Sequence, residues 1–137
     1  MRVFADTHYF IALLNLRDKA HRAASEWEPT AGLTEMITTS WVILELADAM
    51  SAAAERKLAA ELIEQLRADA KVRIVPLSEE MLWRGFDLYR KREDKEWSFT
   101  DCVSFIVMQD REITRALTYD HHFEQVGFEA LLRREPS

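Results

Sequence analysis

The strongest constraint on the fold of this chain is a set of apolar runs, each four residues long, the first three followed by helical periodicity. Arg2-Val3-Phe4-Ala5, Met36-Ile37-Thr38-Thr39, Val72-Arg73-Ile74-Val75 and Arg115-Ala116-Leu117-Thr118 have the length and residue types of buried strands. After the first, Phe10, Ile11, Leu13 and Leu14 suit a helix opened by Thr7 and His8. A second helix is expected over Asp18 to Trp27, stopped by Pro29 and Gly32. Ser40 reads as the cap of a helix over Trp41 to Met50, and Ser78 as the cap of one carrying Leu82, Phe86 and Tyr89. Glu55 to Ala70 has the clearest stripe, with Leu58, Leu62 and Leu66 at fourfold spacing and Ile63 widening it. A further helix is expected from about Phe99 to Gln109, and a last strand over Glu129 to Arg133. Strands separated by single helices or helix pairs need crossover connections. The expected architecture is therefore a three-layer α/β/α unit around a central, mainly parallel sheet, spanning residues 1–137 as one domain.

A hydrophobic fraction of 48% beside 31% charged residues fits a packed globule and speaks against disorder. Cys102 is the only cysteine, which excludes an intrachain disulfide and a cysteine-based zinc site, and its apolar neighbours make it a small core residue. Asp6 interrupts the start of the chain where a signal peptide needs its apolar stretch, and no run approaches the ~20 apolar residues that span a bilayer. The expected location is the cytoplasm, without a membrane partner.

In an open α/β sheet, ligands bind beyond the carboxyl ends of the strands. Asp6 directly follows the first strand, and Asp120 lies two residues beyond Thr118. Glu45 sits in the first turns of a helix that follows a strand, flanked by Ile43, Leu44 and Leu46. Leaving its carboxylate ionised and unpaired there is costly, and a metal ion or a cationic partner resolves the cost. Asp101 opens another helix, with Phe105 and Met108 drawing its face inward. Each acid also has a simpler reading. Ser98-x-x-Asp101 is a capping box with Asp in place of Glu, Asp6 and Asp120 can merely end strands, and Glu45 can pair with a buried Arg. Convergence of all four on one sheet edge favours a site. Oxygen donors without Cys or patterned His suit Mg²⁺ or Mn²⁺, and such an ion supports phosphodiester hydrolysis.

The segments Val3-Phe4-Ala5-Asp6-Thr7, Ile43-Leu44-Glu45-Leu46, Ser98-Phe99-Thr100-Asp101-Cys102 and Leu117-Thr118-Tyr119-Asp120-x-x-Phe123 resemble, in order and spacing, the blocks of PIN domains. The layout is most similar to the VapBC-type toxin ribonucleases. The resemblance implies an α/β/α fold and Mg²⁺- or Mn²⁺-dependent endoribonuclease activity. It implies that Asp6, Glu45 and Asp101 are central metal ligands and that Asp120 is the fourth acid, acting through water or at a second metal. It places Thr7, Ser98, Thr100 and Thr118 at hydroxyl positions that support these acids. It also implies a small antitoxin that covers the site, and a homodimer.

The formal net charge of −6, from 24 acids against 18 Lys and Arg, opposes non-specific binding to a polyanion. An RNA substrate then requires metal ions among the acids and locally gathered cations. Arg90, Lys91 and Arg92, with Arg84 and Lys95, are the candidates for phosphate contact, although Glu93, Asp94 and Glu96 dilute them and the run also reads as a solvated helix end. Trp97 can stack on a base or close the core edge. His121-His122 reads as a solvated turn; His8, two residues after Asp6, can touch phosphate or substrate but reads first as a helix-surface residue. Rival readings are a PIN-like module that binds RNA or protein without cutting, and another Mg²⁺-dependent phosphohydrolase. The first calls for a lost acid and none is missing; an aspartyl phosphatase calls for Asp-x-Asp where this chain has Asp6-Thr7-His8.

Overall fold

The computed structural model describes residues 1–29 and 32–133; residues 30–31 and 134–137 of the expected unit lie outside the description. Five strands form one sheet: β1 (Arg2–Ala5), β2 (Glu35–Thr39), β3 (Val72–Val75), β4 (Arg115–Leu117) and β5 (Glu129–Ala130). Their order is β3-β2-β1-β4-β5, and every pairing is parallel. Helices cover the sheet, giving the expected three-layer α/β/α architecture. They are α1 (Thr7–Leu14), α2 (His21–Glu26), α3 (Ser40–Ala49), α4 (Ala53–Ala68), α5 (Glu79–Lys91), α6 (Phe99–Asp110) and α7 (His122–Val126).

Central and edge strands differ as burial on two faces requires. Val3, Phe4 and Ala5 of β1 are wholly buried, whereas β3 at the edge turns Arg73 to solvent. Helix α6 is apolar on nearly all sides, and every residue from Asp101 to Met108 is buried, so it runs through the interior rather than over it. Cys102 lies fully inside, and burial pushes its thiol up to about 11. Helix α5 reaches α6 at Gly85, where an added Cβ would stand 2.6 Å from Val103 Cγ2.

Several expected boundaries shift for local reasons. Helix α3 is capped by Thr39, whose hydroxyl accepts from Val42 N, so Ser40 is already helical. Helix α2 begins only at His21, because the Asp18 carboxylate accepts from Ala20 N and holds a turn. On α4, Leu66 and Ala59 are buried, while Leu58 in the second turn remains exposed. The final strand is two residues long and gives way to a 3₁₀ turn over Leu131–Arg133, which buries Leu131 and Leu132.

The chain runs outward from β1 through β2 to β3, then returns to place β4 on the other side of β1. The direction of winding thus reverses between β1 and β4. A crevice opens outside the carboxyl ends of the strands at such a point.

Candidate metal centre

Asp6 follows β1 and Asp120 follows β4, the two strands that flank this reversal. Asp6 is the N-cap of α1 in extended conformation, yet its side chain makes no capping bond. Its carboxylate is 1% exposed and accepts instead from Thr118 Oγ1 at 3.0 Å. Thr118 in turn accepts from Asp120 N at 3.0 Å, so one buried hydroxyl ties the two acids together. Asp6 N also donates to Leu117 O, stitching the end of β1 to that of β4.

Asp101 enters from the start of α6. The capping box is formed: Ser98 Oγ accepts from Asp101 N at 3.0 Å, and Asp101 Oδ2 accepts from Ser98 N at 3.1 Å. Capping and clustering are therefore not alternatives. The same carboxylate faces His122, whose Nδ1 lies 3.2 Å from Asp101 Oδ2 and 3.1 Å from Asp120 Oδ1. Glu45 reaches the same cleft from α3; it is half-buried, and among the described residues no ion pair or hydrogen bond of its carboxylate is present. The salt-bridged alternative for Glu45 therefore finds no partner among them. The cleft holds about 550 Å³ and is lined by Glu45, Asp101 and Asp120 together with His8, His122 and Lys19.

Electrostatics follow from this crowding. Burial, then the nearby charges of Asp6 and Asp120, push the Asp101 carboxyl up to about 6. His8 Nδ1 lies 2.9 Å from Asp6 Oδ2, and this hydrogen bond holds the imidazole proton up to about 9. Carboxylates this close repel unless a cation sits among them, and His8 and His122 stand beside them. Thr7 Oγ1 adds a second sign of an incomplete site: it is buried, lines the cleft and has no hydrogen-bond partner. Hard oxygen donors, excess negative charge and an orphaned hydroxyl together fit a divalent ion.

The expected supporting hydroxyls divide. Thr118 and Ser98 bond to acids, whereas no hydrogen bond to an acid among the described residues comes from Thr7 or Thr100. The expected cations do not reach the cleft. Arg90 and Arg92 line an adjoining cavity of about 520 Å³ with Tyr89 and Trp97, Lys91 is exposed, and Arg92 forks onto Asp94 at 2.9 and 3.0 Å. Trp97 closes the core edge: it is 6% exposed, stands edge-on to Phe105 and donates to Gln125 Oε1. The reading of His121-His122 as a solvated turn needs correction at His122. That residue opens α7, is largely buried and spans two acids, while His121 stays exposed. No periodicity announces it, because α7 is five residues long. Lys19, from the turn between α1 and α2, was equally invisible; it lies 4.9 Å from the ring of Tyr119, and both line the cleft.

Comparisons with known proteins agree with the fold. The sequence profile of the PIN domain family matches residues 3–129. The 23S rRNA-specific endonuclease VapC20 of Mycobacterium tuberculosis, from strains CDC 1551 / Oshkosh and ATCC 25618 / H37Rv, is 29% identical over 135 residues. That match covers 92% of this chain and 95% of the relative. The crystal structure of Mycobacterium tuberculosis VapC20, titled a Sarcin-Ricin loop cleaving toxin, has the same fold, with a TM-score of 0.80 at 24% identity over 92% of this chain and 95% of that one.

Proposed function

This chain belongs to the PIN domain family, and on that premise we propose that it is a metal-dependent endoribonuclease, the toxin of a toxin-antitoxin pair. The observation that carries this reading is the meeting of Asp101 and Asp120 in one cleft at the winding reversal, with Asp6 buried close by and the Asp101 carboxyl pushed up to about 6 by burial and by the other two. Glu45 completes the set from α3. PIN nucleases use divalent metals; for this chain the ion is Mg²⁺ or Mn²⁺, held by the four acids. Such a cation supplies charge neutralisation at the scissile phosphate and acidity for the attacking water.

The protein's own groups orient this chemistry. Thr118 fixes the Asp6 carboxylate and the Asp120 backbone at once. Ser98 fixes Asp101, and Thr7 Oγ1 offers a donor to water or phosphate oxygen inside the cleft. Thr100, half-buried beside Asp101, supports the start of α6. Lys19 brings a positive charge to the rim. Beyond Glu96 and Trp97, Arg90, Lys91 and Arg92 extend phosphate contact along the flank, so the RNA path avoids the net negative surface. A small antitoxin covers the acid cleft, the toxin forms a homodimer, and residues 1–137 act as one domain. Among the described residues no helix is long and apolar enough to cross a membrane.

The test is cleavage of tRNA and rRNA fragments, including 23S rRNA fragments, with and without EDTA. Asp6→Asn and Asp101→Asn should each abolish metal-dependent cleavage while circular dichroism shows the fold retained. Undiminished cleavage by both variants removes the reading.

A further inference from the structure

We propose that His8 is itself a ligand of the cation, and that this nitrogen donor makes the site favour Mn²⁺ over Mg²⁺. The proposal rests on the reading that the acids hold a divalent ion and adds a donor that the four-acid pattern lacks. Asp6, His8 and Asp120 each offer a ligand atom, and these three atoms lie within 4.8 Å of one another. Ligands ~2.1 Å from an octahedral ion stand ~3.0 Å apart when adjacent and ~4.2 Å apart when opposite. The 2.9 Å between His8 Nδ1 and Asp6 Oδ2 matches an adjacent pair, and closing the whole triangle needs a movement of about half an ångström.

Position favours His8 over the other imidazoles. It joins the two carboxylates that follow the adjacent strands β1 and β4. His122 instead stands between Asp120 and Asp101 of α6 and its side chain is only 17% exposed, and His121 groups with Asp120 and His122. The His8 side chain is 56% exposed, so the ring can turn without breaking core contacts. The buried, unpartnered Thr7 hydroxyl precedes it in the same cleft, as expected where water or a ligand completes a coordination sphere. On coordination the Nδ1 proton leaves to solvent, and the nitrogen lone pair that carried it binds the ion. Mn²⁺ also favours oxygen, but as a transition ion it accepts an imidazole nitrogen more readily than Mg²⁺, which dehydrates reluctantly and keeps its waters.

The experiment is pulsed electron paramagnetic resonance of Mn²⁺ on the full-length protein, with titrations of Mn²⁺ and of competing Mg²⁺, for wild type, His8→Ala, His122→Ala and Asp6→Asn. Wild type and His122→Ala should show ¹⁴N coupling to the bound ion. His8→Ala should lose it and bind Mn²⁺ about tenfold or more weakly, with Mg²⁺ affinity changed less than about threefold. Persistence of ¹⁴N coupling in His8→Ala, its loss in His122→Ala, or an equal loss of affinity for both ions overturns the assignment. Unchanged Mn²⁺ binding by Asp6→Asn would instead defeat the carboxylate site, so the two failures are separable.

Discussion

Thr118→Val is the substitution that most directly tests how the centre is held. Valine keeps the volume of this fully buried side chain and removes only its hydroxyl. Two bonds go with it: the donation to the Asp6 carboxylate and the acceptance from Asp120 N, each at 3.0 Å. A hydrogen bond to a charged acceptor contributes ~1.5–3 kcal/mol and a backbone one ~0.5–1.5 kcal/mol. Burying a methyl in place of the hydroxyl returns about 1 kcal/mol. The expected net loss is about 2 kcal/mol, which lowers the melting temperature of a chain this size by roughly 6–8 °C. Freed from their shared anchor, Asp6 and Asp120 should also bind metal roughly 10–100-fold more weakly. Thr38→Val is the control, because Thr38 is equally buried but donates to the Ala5 carbonyl and touches no acid. It should lose about 1 kcal/mol and keep wild-type metal affinity. Urea denaturation in EDTA and Mn²⁺ titration read both quantities. If Thr118→Val holds metal as tightly as Thr38→Val does, the hydroxyl is not what aligns the acids.

Three further outcomes are expected. In EDTA, Asp101 contributes stability that is fully present below its unfolded value of about 4 and is lost as pH rises through its folded value of about 6. Asp101→Asn should flatten that decline and exceed wild type in urea midpoint near pH 8; a wild-type midpoint independent of pH between 4 and 8 would contradict it. Gly85→Ala forces a methyl against the fully buried, β-branched Val103 and should cost ~1–3 kcal/mol in thermal unfolding. Ser98→Ala removes one half of the capping box and should cost about 1 kcal/mol, with a fall in kcat measured at saturating metal as Asp101 loses its register.

The strands were legible because each is a short apolar run, and Asp6 and Asp120 because each stands just past the carboxyl end of one, whereas Glu45 and Asp101 sit in the early turns of helices. The parallel sheet follows from the same alternation, since crossovers leave no other pairing for β1, β2 and β4. His122 was not legible, since its role depends on where a five-residue helix sets it relative to Asp101, 21 positions earlier. Lys19 likewise comes from an irregular turn that sequence periodicity does not describe. The run around Arg90 lies on a cavity of its own rather than in the acid cleft. Its charges are real, yet Asp87 and Asp94 stand beside Arg90 and Arg92 and turn them to local pairing. Local sequence shows which charges exist, and tertiary placement decides which remain free for a ligand.

The hydroxyl that binds Asp6 belongs to a residue 112 positions further along the chain. β4 docks directly against β1, pairing Phe4 with Ala116 and Ala5 with Leu117. During synthesis, then, Asp6 and Glu45 emerge before Asp101, and Asp120, three positions past β4, emerges last. On the proposed reading, the site is complete only once β4 brings Thr118 and Asp120 to Asp6. On that reading a fragment ending before β4 should not cleave RNA, so activity would wait for the last of the four acids.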